Sequence, residues 1–381
     1  MKRKLLIYSI WLALFVFSII FSKNINSIEV ANNNKDIEIE NSVRNLLKIC
    51  ENSDESKLNA CFREKSKTFV IKHSAAETII ALEKIYTNNS SNNYSQKIAC
   101  HTLGHIAGEI DGQSSKDVGE SLSKCTPECG NACYHGVLIG ALKAHTQLLT
   151  NLSLICDSFA KYNFPGQQLT ACNHGLGHGL AEFTGSDTKL SLKYCDSLKS
   201  EIAKVECGSG VFMETIDDTV SGENNKKLPE DIHTFCLELN QPYLDLCVRN
   251  IGNYTYRTTN NIPNSFKACM ELSESYIDMC VGSLGADFFF ITEGDIKELV
   301  KVCQNAIQTK IDICLSGAIL SSLVTDPFGN LSIEICSSSQ TLKDNCLIQL
   351  ASHLARLQGE AYRQEFCEKF VYNRETCLNA R

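Results

Sequence analysis

The cysteines decide what this chain can fold into. From residue 236 onward they come in pairs: Cys236/Cys247, Cys269/Cys280, Cys303/Cys314, Cys336/Cys346 and Cys367/Cys377. The first member of each pair recurs after 33, 34, 33 and 31 residues. A period near 33 residues is the length of a helix–turn–helix unit, which buries its apolar face only by stacking on neighbours. In FCLELNQPYLDLCVRNIGNYTYR, Phe235, Cys236 and Leu239 continue one helical stripe. Asn240-Gln241-Pro242 breaks it, and Tyr243, Leu244 and Cys247 open the next. Asn caps free amides at a helix start and Pro is tolerated in a first turn, so this reads as a helical hairpin. A disulfide between its two arms would staple it.

Upstream the same spacing is looser, as Cys50/Cys61, Cys125/Cys133, Cys156/Cys172 and Cys195/Cys207. These nine pairs use 18 of the 20 cysteines and leave Cys100 and Cys129 for each other. The repeat length equals that of tetratricopeptide units, but their Trp/Leu-Gly/Tyr/Ala/Phe/Pro signature is missing. Val and Ile recur at helical spacing, and no Asn-Gly turn separates two alternating runs. The expected fold is therefore all-α: disulfide-stapled helical-hairpin repeats, α-solenoid-like, with no family named.

An even cysteine count used this way implies an oxidising, extracytoplasmic compartment. The N-terminus agrees, because Lys2, Arg3 and Lys4 precede an apolar run from Leu5 to Phe21. Residues 1–22 read as a signal peptide or, since no small-x-small cleavage site follows, a membrane anchor. Sequons at Asn88, Asn89, Asn93, Asn151, Asn253 and Asn330 fit a glycosylated exterior. Residues 23–40 read as a polar linker and 41–216 as a His-rich helical domain. A polar insertion, 217–230, separates these from the Cys-paired repeats of 231–381. Net charge is −8 with no basic run beyond the N-terminus, which excludes nucleic acid as a partner.

The histidines follow the same register. Successive upstream units open a helix at a cysteine, as CHTLGHIAGE, CYHGVLIGALK, CNHGLGHGLAE and CGSGVFMET. Overlaid, they align His101, His105 and Glu109 with His174, His178 and Glu182. His135 lies between, and the fourth unit offers only Glu214. Spacing of i, i+4 puts two imidazoles on one helix face, a geometry that holds a metal ion. The expected ligands are His101, His105, His135, His174 and His178, with Glu109 and Glu182 as further ligands or as bases on bound water. Imidazole with carboxylate suits zinc, copper or iron alike. Glycines recur at the same interval, Gly104/Gly108, Gly136/Gly140 and Gly175/Gly179, as a stripe for close helix packing. Helices two units apart should stand roughly 20 Å apart at ordinary spacing, too far for one ion, so the ladders meet only if packing is unusually tight.

The competing reading is a non-enzymatic surface scaffold whose repeats bind a protein or peptide and whose histidines are structural. No CxxCH, HExxH, GxSxG or GxxxxGK[ST] occurs, and GLGHG lacks the preceding strand of a dinucleotide fingerprint. His73, His145, His233 and His353 fall outside the column.

Overall fold

The computed structural model describes residues 35–50, 55–87, 94–157, 166–221, 231–326, 328–338, 343–371 and 374–379. Among them there are helices and no strands. The apolar run Leu5–Phe21 lies outside the described residues, and no helix within them is long and apolar enough to cross a membrane. Residues 35–50 form a helix, α1, in which Ile39 and Val43 are buried. The segment expected to be a linker up to residue 40 is therefore helical from residue 35.

Upstream, α2 (Glu55–His73), α3 (Ala75–Thr87) and α4 (Tyr94–Ser114) precede α5 (Val118–Lys124) and α6 (Glu128–Ala144). They are followed by α7 (Leu152–Asp157), α8 (Gly166–Thr184), α9 (Thr188–Cys195) and α10 (Glu201–Ser221). The last runs into the stretch read as a polar insertion. Downstream, short and long helices alternate: α11 (Ile232–Leu237) with α12 (Tyr243–Thr259), α13 (Ile262–Met270) with α14 (Glu274–Ile291), and α15 (Ile296–Cys303) with α16 (Ile311–Thr325). The alternation holds for α17 (Asn330–Ser338) with α18 (Lys343–Gln358) and reverses in the last pair, where α19 (Glu360–Phe370) is longer than α20 (Arg374–Asn379).

The short helices α9, α11, α13 and α15 begin on a side-chain cap. Asp187 accepts from the Leu190 amide, Asp231 from Thr234, Asn261 from Asn264 and Asp295 from Glu298, each satisfying an amide the first turn leaves unpaired. At α12 the start differs from the expectation. Pro242 occupies the cap position, and Asn240 contributes its backbone carbonyl, accepting from Tyr243 and Leu244 at 3.0 and 3.1 Å.

All ten disulfides pair as the spacing implies. Nine join neighbouring helices across separations of 8 to 16 residues. Cys100–Cys129, at a separation of 29, instead ties α4 to the start of α6. In the chain-entropy model an 11-residue loop such as that of Cys236–Cys247 is worth about 3 kcal/mol. A Cys236→Ser/Cys247→Ser variant should lose about that much in denaturant unfolding, and an unchanged midpoint would contradict the staple role.

The long helices pack in chain order, α4 on α6, α6 on α8, α8 on α10, and onward to α16. Their facing sides carry the core, including Leu138 and Leu142 of α6, Val248 and Ile251 of α12, and Phe288 and Phe289 of α14. Upstream, glycines bring the backbones themselves into contact. A Cβ on Gly136 would stand 2.2 Å from the His105 carbonyl oxygen, and one on Gly177 would stand 2.0 Å from that of Cys207. Only hydrogen fits there.

Candidate metal centre

Three consecutive long helices supply the five histidines of the column. Helix α4 carries His101 and His105 one turn apart, α6 carries His135, and α8 carries His174 and His178. Their rings form one cluster. His135 lies 5.0 Å from His105 and 4.6 Å from His178 between ring centroids, and His105 lies 5.6 Å from His178. The two ladders, two units apart, therefore meet. The helices need not touch for this, because α6 fills the interval and its glycines draw α4 close. A Cβ on Gly175 of α8 would likewise lie 3.1 Å from the His135 Cα.

The nitrogens converge as two trios that share one ring, His101/His105/His135 and His135/His174/His178. His105 Nε2 is 2.9 Å from His135 Nδ1, and His174 Nε2 is 3.2 Å from His178 Nε2. Four nitrogens around a zinc-sized ion at about 2.0–2.1 Å stand about 3.3 Å apart along each tetrahedral edge. Both observed separations lie close to that edge.

Hydrogen bonds to the outer nitrogens aim the inner ones. His101 donates from Nδ1 to the Cys129 carbonyl at 2.7 Å, which leaves its lone pair on Nε2. His178 donates from Nδ1 to the Glu214 carboxylate at 2.5 Å, with the same result. The Glu206 backbone carbonyl accepts from the His174 ring. Two Nε2 atoms then face each other across 3.2 Å, an arrangement that needs either one proton or one ion between them. Burial keeps His105, His135 and His174 neutral. Desolvation, with the charges of neighbouring histidines added, pushes His105 and His135 well below the usual range, and pushes His174 down to about 3. Neutral imidazole is the form that ligates.

The Cys129 carbonyl reaches His101 because the chain there is left-handed. Cys129, Gly130 and Asn131 have φ of 50°, 66° and 66°, costing about 1–3 kcal/mol for each of the two non-glycine residues. The Cys100–Cys129 bridge and the Glu83 carboxylate, which accepts the Cys129 amide at 2.7 Å, hold the turn in place. Glu83, Cys100 and Cys129 also converge as a group, but both sulfurs are in the disulfide, and a disulfide offers no thiolate.

Glu109 and Glu182 stand outside both trios. Glu109 pairs with Arg63 of α2 and, at 3.2 Å, with Lys143 of α6, which also reaches Glu182 at 3.2 Å. Burial opposes ionisation of Glu109, but Arg63 and Lys143 outweigh it and hold its carboxyl below the usual range. The carboxylate that touches the cluster is Glu214, seven residues after Cys207. His178 is six after Cys172, so the cysteine register already puts the two at one level on neighbouring helices.

Outside the column, His145 bonds the Ser115 carbonyl at 3.1 Å, His233 bonds that of Ala268 at 2.7 Å, and His73 packs on Phe69. The side chain of His353 lies outside the described residues. Of the sequons within them, Asn151 and Asn330 are exposed and Asn253 is half-buried on α12. No protein-family model, curated protein or solved structure matches the chain.

Proposed function

We propose that the chain is an exported or membrane-anchored metalloprotein whose upstream helices hold a divalent transition metal through His101, His105, His135, His174 and His178. One observation carries this reading: His174 and His178 turn Nε2 toward each other at 3.2 Å while the His178 Nδ1 is committed to Glu214. Glu214 is the orienting carboxylate. Glu109 and Glu182 drop out of the ligand set, because Arg63 and Lys143 hold them. Zinc, copper and iron all accept an all-imidazole shell. Ten disulfides fit an oxidising exterior, and the apolar run Leu5–Phe21 would supply the membrane anchor. The ordered packing of the long helices supports an α-solenoid-like array, whose surface would be free for a protein or peptide partner.

A second reading has its own observation. His105 with His135, and His178 with both Glu214 and His174, stand at hydrogen-bonding distance, as buried structural histidines should. Metal analysis of the purified full chain separates the two. The metalloprotein retains stoichiometric zinc, copper or iron, loses it as His174→Ala/His178→Ala, and binds about 10–100-fold more weakly as Glu214→Gln. A chain that takes up none of the three ions, and whose Glu214→Gln variant behaves as wild type, is the scaffold instead.

A further inference from the structure

We infer that the centre is dinuclear, with the His135 ring shared between two ions; this rests on the metal-binding reading above. Among the described residues no convergent group holds a histidine of α4 together with one of α8, and His135 belongs to both trios. The α4 pair and the α8 pair thus make two sites with one common ring. A tetrahedral ion accepts at most four ligands, so five imidazoles exceed what one such ion can use. His135 already turns Nδ1 toward His105 at 2.9 Å, which leaves Nε2, across the ring, to serve His174 and His178. His135 is also 4 % exposed, walled in by the rings it would bridge, so solvent does not compete for either nitrogen.

The two sites are not equivalent. In the α4 trio the ring planes meet at 52°, 79° and 90°, so their in-plane lone pairs can converge on a point. In the α8 trio His135 stacks on His178 at 17°, and near-parallel rings cannot both aim at one ion until one tilts. The first ion therefore enters at His101, His105 and His135. The second enters at His174 and His178 as the His135 ring tilts. Joining it to both ions makes His135 an imidazolate: its remaining N–H bond breaks, the electron pair goes to the second ion, and the proton goes to solvent.

Copper(II) added to the metal-free full chain tests this, with metal content, released protons and the electron paramagnetic resonance signal followed together. The expected result is two ions per chain in two steps. The signal rises through the first equivalent and falls through the second, as the unpaired spins couple through the shared ring. The His101→Ala/His105→Ala variant should hold one ion with a full, uncoupled signal. One ion per chain at saturation, or two ions with additive signals, would overturn the dinuclear centre while leaving a metalloprotein. Uptake of no ion would overturn the metal-binding reading as well.

Discussion

Replacing Gly136 with alanine is expected to cost more than about 4 kcal/mol and to abolish metal uptake. The new Cβ would lie 2.2 Å from the His105 carbonyl oxygen, 2.7 Å from the Gly108 Cα and 2.9 Å from the Glu109 amide nitrogen. All three are backbone atoms, so no side chain can swing aside. Relief requires α4 and α6 to separate, which pulls His105 away from His135 and opens the Cys129 turn under His101. The same exchange at Gly282 of α14 should do the reverse. There a Cβ meets nothing nearer than Ile313 at 3.7 Å, and removing glycine from a helix interior gains up to about 1 kcal/mol. Urea unfolding of the two variants, with metal content measured alongside, checks both. A Gly136→Ala protein of native stability would mean that the helices do not approach through these glycines.

That contrast also explains what could be read from the sequence and what could not. The disulfides were legible because a hairpin staple has a characteristic separation, and Cys100 with Cys129 followed by elimination. The histidine column was legible because each upstream helix starts at a cysteine, which fixes a common register. Whether the two ladders meet was not legible, since it depends on carbonyl-to-glycine approach between helices, a tertiary property that spacing along one helix does not encode. The carboxylates show the limit from the other side. Register alone makes Glu109 and Glu182 look like ligands, one turn beyond His105 and His178. What decides their partners is Arg63 of α2 and Lys143 of α6, which no spacing rule ties to them. The left-handed turn had a local signal, as Gly130 and Asn131 are residue types that tolerate such φ values, but Cys129 is not. Its conformation is imposed by the bridge to Cys100 and by Glu83.

Held free of metal with a chelator, the protein should lose stability steadily as pH falls below about 6.5. In the unfolded chain each cluster histidine takes a proton near 6.5. In the folded chain burial, aided by the charges of His178 and His101, pushes His174 down to about 3, and burial pushes His105 and His135 well below the usual range. Between those values the unfolded state binds more protons, so acid favours it. Stability contributed by the neutral rings is complete above the unfolded value and is lost as pH falls toward the folded one. For His174 alone the full shift from 6.5 to about 3 corresponds to about 5 kcal/mol, of which about 3 kcal/mol is gone by pH 4.5. Glu109 acts in a lower window. Its folded value lies below the usual carboxylate range, so its contribution is present above about 4.5 and disappears only beneath it. Urea midpoints measured from pH 7.5 to 4.5 therefore report the histidines, offset in part by Glu206, whose carboxyl burial pushes up so that acid favours its folded form. A metal-free His174→Leu chain should show a flatter profile, losing about 3 kcal/mol less over that range. If the wild-type and His174→Leu profiles fall in parallel, burial does not hold His174 neutral as pH falls below about 6.5.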